Sequence, residues 1–138
     1  MFKMICLSLL LVFLNFQCLH KSYVCGENFS FLSQGNIKIN KNTKTPEDFS
    51  IYMVSYKRKN FSIYEGDNPN IDDHFLEIFK LKFPNITDKY IVYSYKNDLI
   101  LKLSRSKYPR YIHFMSVLND KDAYNYIAKS FFLGNRCN

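Results

Sequence analysis

The stretch from Asp48 to Asn70, DFSIYMVSYKRKNFSIYEGDNPN, constrains the fold more than any other part of the chain. Phe49, Ile51 and Met53 alternate with Ser50, Tyr52 and Val54. After the polar run Lys57-Arg58-Lys59-Asn60, Phe61, Ile63 and Glu65 alternate with Ser62 and Tyr64. Successive side chains of a strand point to opposite faces, so alternation on both sides of a polar break predicts a β-hairpin. Gly66-Asp67-Asn68-Pro69 follows with four residues that favour turn backbone. It holds one glycine and no Lys-Ser/Thr partner, so it does not match a phosphate-binding loop.

The remaining segments extend the same pattern. Phe29, Phe31 and Leu32 form one weak strand signal, and Ile37 and Ile39 form another. Asn40 to Asp48 reads as a loop, with Pro46 as a breaker. After Pro69 two periods compete. Asn70 could cap a helix carrying Phe75, Ile78, Phe79 and Lys82 on one face, yet Phe75, Glu77, Phe79, Leu81 and Phe83 also alternate. The reading taken is a short helical turn followed by a strand that stops at Pro84-Asn85. Tyr90–Tyr95 and Leu99–Leu103 flank Lys96-Asn97-Asp98 as a second hairpin, and Tyr111–Leu118 is a further strand. A helix follows, with Asn119 as N-cap, Asp120 and Asp122 in its first turn, and Ala123, Tyr124, Ile127 and Phe131 on one face. Gly134 stands where a C-terminal cap belongs. The expected class is α+β: an antiparallel sheet built from hairpins, covered by a C-terminal α-helix, as one domain over residues 21–138.

Residues 1–20 read as a secretory signal peptide. Lys3 precedes an apolar run of thirteen residues, Met4 to Phe16. That run is too short to cross a hydrocarbon core of roughly 30 Å as a helix. Cleavage is expected between Gln17 and Ser22, and loss of Lys3 lowers the formal charge from +7 to +6. Cys18 raises a lipoprotein reading, but Asn15-Phe16-Gln17 lacks the small residues such a site uses. Membrane contact is expected only if Cys18 is lipidated. Cys6 leaves with the signal, and Cys25 and Cys137 stand at opposite ends of the mature domain. In an oxidising compartment these two are expected to form a disulfide. The expected location is secreted, most specifically a bacterial periplasm. Asn28, Asn60 and Asn85 begin Asn-x-Ser/Thr sequons, which matter only in a eukaryotic secretory pathway.

The polar residues give little support for catalysis. Asp72-Asp73-His74 with Glu77 is the densest cluster, but adjacent residues diverge on either a strand or a helix, so acids decorating a helix start explain it better. His113 lies between Ile112 and Phe114 and reads as a hydrogen-bonded strand residue. No serine has the Gly-x-Ser-x-Gly context of a nucleophile elbow. No catalytic, metal or cofactor residue is therefore assigned. Lys57-Arg58-Lys59 and Arg105-Lys107-Arg110 are basic clusters with Tyr56 and Tyr108 beside them. They could grip a polyanion, but solubility also explains them, and no nucleic-acid partner is expected of an exported protein.

Gly35-Asn-Ile-Lys-Ile39, Asp48-Phe-Ser-Ile-Tyr52 and Ile63-Tyr-Glu-Gly-Asp-Asn-Pro69 resemble small exported bacterial proteins of unknown function that carry a DF-x-x-Y … Y-x-GN-x-P pattern. Here Asp67 stands between Gly66 and Asn68. Ile112-His-Phe114 followed by a helix from Tyr124 to Phe131 is similar to their closing segment. The order, sheet then last helix, also looks like the Mog1/PsbP-type α+β fold, an analogy that implies no activity. The functional expectation is a small exported binding or inhibitor/immunity-type protein with a protein partner and no catalysis. Lys57, Arg58, Lys59, Tyr93 and Tyr95 are its partner-binding candidates. The competing expectation is a secreted enzyme or toxin using His74 or His113 with nearby carboxylates.

Overall fold

The structure is a computed structural model that describes residues 22–42 and 48–137. The expected signal segment, Cys18 and residues 43–47 of the loop around Pro46 lie outside the described residues. Among the described residues ten strands form two antiparallel sheets, accompanied by one α-helix. The strands are β1 (Ser22–Cys25), β2 (Phe29–Ser33), β3 (Ile37–Lys41), β4 (Phe49–Tyr56), β5 (Lys59–Gly66), β6 (Glu77–Ile78), β7 (Tyr90–Tyr95), β8 (Asp98–Leu103), β9 (Tyr111–Met115) and β10 (Phe131–Leu133). The helix α1 spans Lys121–Ser130. The large sheet has seven strands in the order β3-β4-β5-β9-β8-β7-β6, and the small sheet has three in the order β1-β2-β10. The class is the α+β antiparallel one expected, with the helix near the C-terminus.

Alternation decides which side of the large sheet is the core. Ser50, Tyr52, Val54 and Tyr56 of β4 face inward, opposite Glu65, Ile63, Phe61 and Lys59 of β5. Ile63 is paired with Phe114 of β9, which is paired with Leu99 of β8. These inward apolar side chains are buried, and the small sheet and α1 cover them. Phe131 is the hub of that packing. Its ring lies 5.7 Å from Phe29, 5.5 Å from Phe31, 5.5 Å from Phe114 and 5.8 Å from Phe83, so it joins both sheets.

Several expectations are corrected. The chain makes two sheets: β1 pairs with β2, and β10 closes on the other side of β2. The helix begins one residue later than expected. Asp120, not Asn119, is its N-cap, accepting a hydrogen bond from the Ala123 N–H at 3.2 Å. The backbone turns extended at Phe131, because Phe131, Phe132 and Leu133 pair with β2, so Gly134 ends β10 rather than capping the helix. Finally, the strand expected up to Phe83 is confined to Glu77–Ile78. Phe83 instead turns into the core, its N–H donating to the Tyr90 hydroxyl at 2.9 Å, and the chain leaves the sheet. The helical turn before it is a single 3₁₀ turn, Asp73–Phe75, capped by Asp72 rather than Asn70.

The β4–β5 connection is a two-residue turn, Lys57-Arg58, with φ of 45° and 64°. Two positive φ values in succession match a type I′ turn, whose twist suits a hairpin but which Gly and Asn fill most easily. The strand expected over Tyr111–Leu118 stops at Met115, where Ser116 takes a φ of 64° and its N–H donates to Asp98 Oδ1 at 2.8 Å.

Candidate functional site

The structure does not gather the five expected partner-binding residues into one patch. Lys57, Arg58 and Lys59 occupy the β4–β5 tip, while Tyr93 and Tyr95 lie on β7. β5, β9, β8 and β7 are successive strands, so the two groups are separated by roughly 14 Å at the usual strand spacing. The tip is also engaged within the molecule. Lys57 Nζ lies 3.1 Å from Asp122 Oδ2, and Lys59 Nζ lies 2.5 Å from Asp120 Oδ2. Hydrogen bonding to Asp122 raises the Lys57 pKa, and Lys59 holds the Asp120 carboxyl below its ordinary value. Those lysines therefore clip the hairpin to the first turn of α1, where acids also match the helix dipole.

The histidines are separated in the same way. His74 sits in the exposed 3₁₀ turn, its backbone N–H donating to Asp72 Oδ1 at 3.0 Å. His113 is nearly buried on the outer face of the large sheet, between Tyr64 and Ile100 in register, with Nε2 2.9 Å from Asp98 Oδ2. Asp98 also accepts the Ser116 N–H, so the pair fixes where β9 ends. Among the described residues no three His, Cys, Asp or Glu side chains converge as a metal site.

Outer-face burial at Ile100 has a visible cause. The segment from Asp67 to Leu76 lies over the outer face, and Ile71 and Leu76 line one cavity with Ile100 and Tyr111. Tyr64 anchors that strap by donating to the Asn68 carbonyl at 2.7 Å while accepting the Asn68 N–H at 3.1 Å. Asp67 reaches Arg110 from the same strap, with Oδ1 3.4 Å from Nε. Towards the end of the strap the cover gives out. Phe75 is 65% exposed, Ile78 76% and Ile91 42%. Ile78 is paired with Tyr93 across β6 and β7, and Ile91 lies two residues from Tyr93 on the same face. This apolar edge absorbs Tyr93 from the expected set. Ile91 and Tyr93 were readable as one face of a strand, but nothing in the sequence said that β6 would be too short to cover them.

A second feature invisible in the sequence is Glu65. It alternates correctly for the core face, and the structure buries it fully. Oε1 accepts a hydrogen bond from the Tyr52 hydroxyl at 2.6 Å, while Oε2 is buried without a hydrogen-bond partner among the described residues. Burial raises the Glu65 pKa. Tyr52 and the nearby Asn28 side chain oppose that shift without completing a bond to Oε2. The Tyr108 hydroxyl donates to the Glu65 carbonyl at 2.9 Å, and burial together with the Glu65 charge pushes its pKa up to about 12.

The Glu65 shift has a definite sign in stability. A carboxyl whose folded pKa exceeds its unfolded value binds more protons in the folded state between the two values. Its contribution is therefore most favourable below the unfolded value and is lost as pH rises through that window. Glu65→Gln keeps an acceptor for Tyr52 and removes the titration. The difference in melting temperature, Glu65→Gln minus wild type, is expected to be more positive near about pH 8 than near about pH 4. Calorimetry at both pH values checks this, and a difference that stays constant or falls with pH refutes it.

The described residues thus form an antiparallel α+β fold in which Cys25 of β1 is bridged to Cys137, beyond β10, with Cα atoms 6.2 Å apart. Compared with protein-family models, curated proteins and solved structures, the chain matches none.

Proposed function

We propose that this is a small exported binding protein, of the inhibitor or immunity type, that acts by docking a protein partner and performs no catalysis. The carrying observation is the uncovered edge at β6 and β7, where Ile78 and Ile91 expose large apolar side chains beside Tyr93, with Phe75 exposed in the 3₁₀ turn just before β6. Clustered exposed apolar groups mark contact surfaces, and tyrosine is a favoured anchor in them. The Cys25–Cys137 disulfide fits an oxidising compartment, and no helix among the described residues is long and apolar enough to cross a membrane. A periplasmic location and kinship with the small exported bacterial proteins named above belong to the same reading. No cofactor and no nucleic acid enter it.

Site-specific photo-crosslinking in the exporting cell tests the surface. A crosslinker replacing Ile78 is expected to trap one discrete protein that a crosslinker replacing Lys38, on the opposite edge strand, does not trap. Equal products from both positions would remove the edge from the account. The enzyme reading retains one specific observation, the His113–Asp98 pair at 2.9 Å.

A further inference from the structure

The loop between β8 and β9, the Asn85–Asp88 segment and the chain beyond β10 enclose an open cleft of about 320 Å³. Arg105, Lys107 and Arg136 line it, with Asp88 as the one acid among the described residues. The third cation of the sequence cluster, Arg110, is turned away to Asp67. Arg136 arrives from the far end of the chain in its place.

Two observations show that the two arginines are held in place, while Lys107 is exposed at the rim. Arg105 has a side chain only 15% exposed, and its Nε is buried with no hydrogen-bond partner among the described residues. Asp88 Oδ2 is the nearest acid at 3.6 Å, beyond hydrogen-bond reach. A buried guanidinium N–H without an acceptor carries a desolvation penalty that an incoming oxygen would relieve. Arg136 is fixed by its backbone N–H, which donates to Ser30 Oγ at 2.8 Å, and by its guanidinium, which stacks 4.2 Å from the Phe132 centroid. The neighbouring Cys137 is bridged to Cys25. Thr87 and Asn28 add neutral polar groups to the wall.

We propose that this cleft binds a tetrahedral oxyanion, phosphate or sulfate, free or as the ester of a small molecule. Two guanidinium groups and an ammonium against one carboxylate leave an excess of two positive charges (3 − 1), which suits a dianion. The cleft lies at the small end of ligand-pocket volumes, about 300 Å³ and upward, which leaves space for a carrier group beyond the anion.

Amide chemical-shift titrations at low ionic strength test it, with inorganic phosphate, inorganic sulfate, glucose 6-phosphate and acetate as probes. Phosphate and sulfate are expected to shift Thr87, Arg105, Lys107 and Arg136 saturably, and acetate to bind more weakly. Tighter binding of glucose 6-phosphate than of inorganic phosphate would assign the site to an ester, and the reverse to the free anion. Arg105→Gln and Arg136→Gln are each expected to weaken phosphate binding about tenfold or more, with Lys38→Gln, on β3, leaving it unchanged. Each variant is checked for an intact wild-type-like spectrum, and Arg136→Lys replaces Arg136→Gln if the latter unfolds. No saturable shift at the cleft, acetate binding as tight as phosphate, or equal losses in Arg105→Gln and Lys38→Gln would overturn the proposal.

Discussion

Phe131→Ala is expected to destabilise the fold by about 3–5 kcal/mol, the range for removing a buried aromatic side chain. The reason lies in what the ring joins. Phe131 is fully buried and touches four other phenylalanines, two from β2, one from β9 and one from the segment after β6. Its removal leaves a cavity bounded by both sheets, where neither can collapse onto the other without losing register. Domains of this size are stable by roughly 5–15 kcal/mol, so the loss takes a large share. Phe132→Ala is the control. That ring points to the other side of β10, half-buried against Tyr23 and beneath Arg136, and its removal is expected to lose clearly less. Urea denaturation of both variants measures the difference, and equal losses would mean that Phe131 is not the hub described.

The second large effect belongs to the disulfide. Cys25 and Cys137 are separated by 112 residues, so their bond closes nearly the whole domain into one loop. In the chain-entropy account, a loop of that order is worth about 4–5 kcal/mol through the unfolded state. Folded contacts at the junction survive without it. Ser30 Oγ donates to the Gly134 carbonyl at 2.6 Å, and the Asn135 side chain donates to the Gly26 carbonyl at 3.2 Å. Cys25→Ser with Cys137→Ser is therefore expected to fold to the same secondary structure but unfold at much lower urea, with a steeper slope because the opened chain exposes more surface. An unchanged midpoint would contradict this.

The sequence announced the sheet better than it announced the surfaces. Alternation at Phe49–Glu65 and Tyr90–Leu103 is local information, and it located β4, β5, β7 and β8. Pairing of β10 with β2 is not local: Phe131 continues the apolar stripe of α1, and only β2 waiting beside it turns the backbone extended. The alternation at Phe75–Phe83 failed for a related reason, since Phe83 gains more by entering the core than by pairing at an edge. The turn at Lys57-Arg58 carries neither Gly nor Asn. Its left-handed backbone is supported by Asp120 and Asp122, which the chain reaches only about sixty residues later. The same distance effect hid the sites. Arg105 and Arg136 meet only through the fold. Glu65 occupies a position that alternation marks as inward but composition marks as outward.

The central claim is recognition through the β6–β7 edge without chemistry at His113. It is tested most directly by titrating the purified, crosslink-identified partner with wild type, Ile78→Asp and His113→Ala, and recording melting curves for all three. Ile78 is mostly exposed, so its substitution should change stability by no more than about 0.5 kcal/mol, while weakening binding about tenfold or more. His113→Ala is expected to lower the melting temperature, because it removes the Asp98 partner, and to leave binding unchanged where the protein is folded. An Ile78→Asp protein that binds as wild type does, or a folded His113→Ala protein that loses function, would contradict the account.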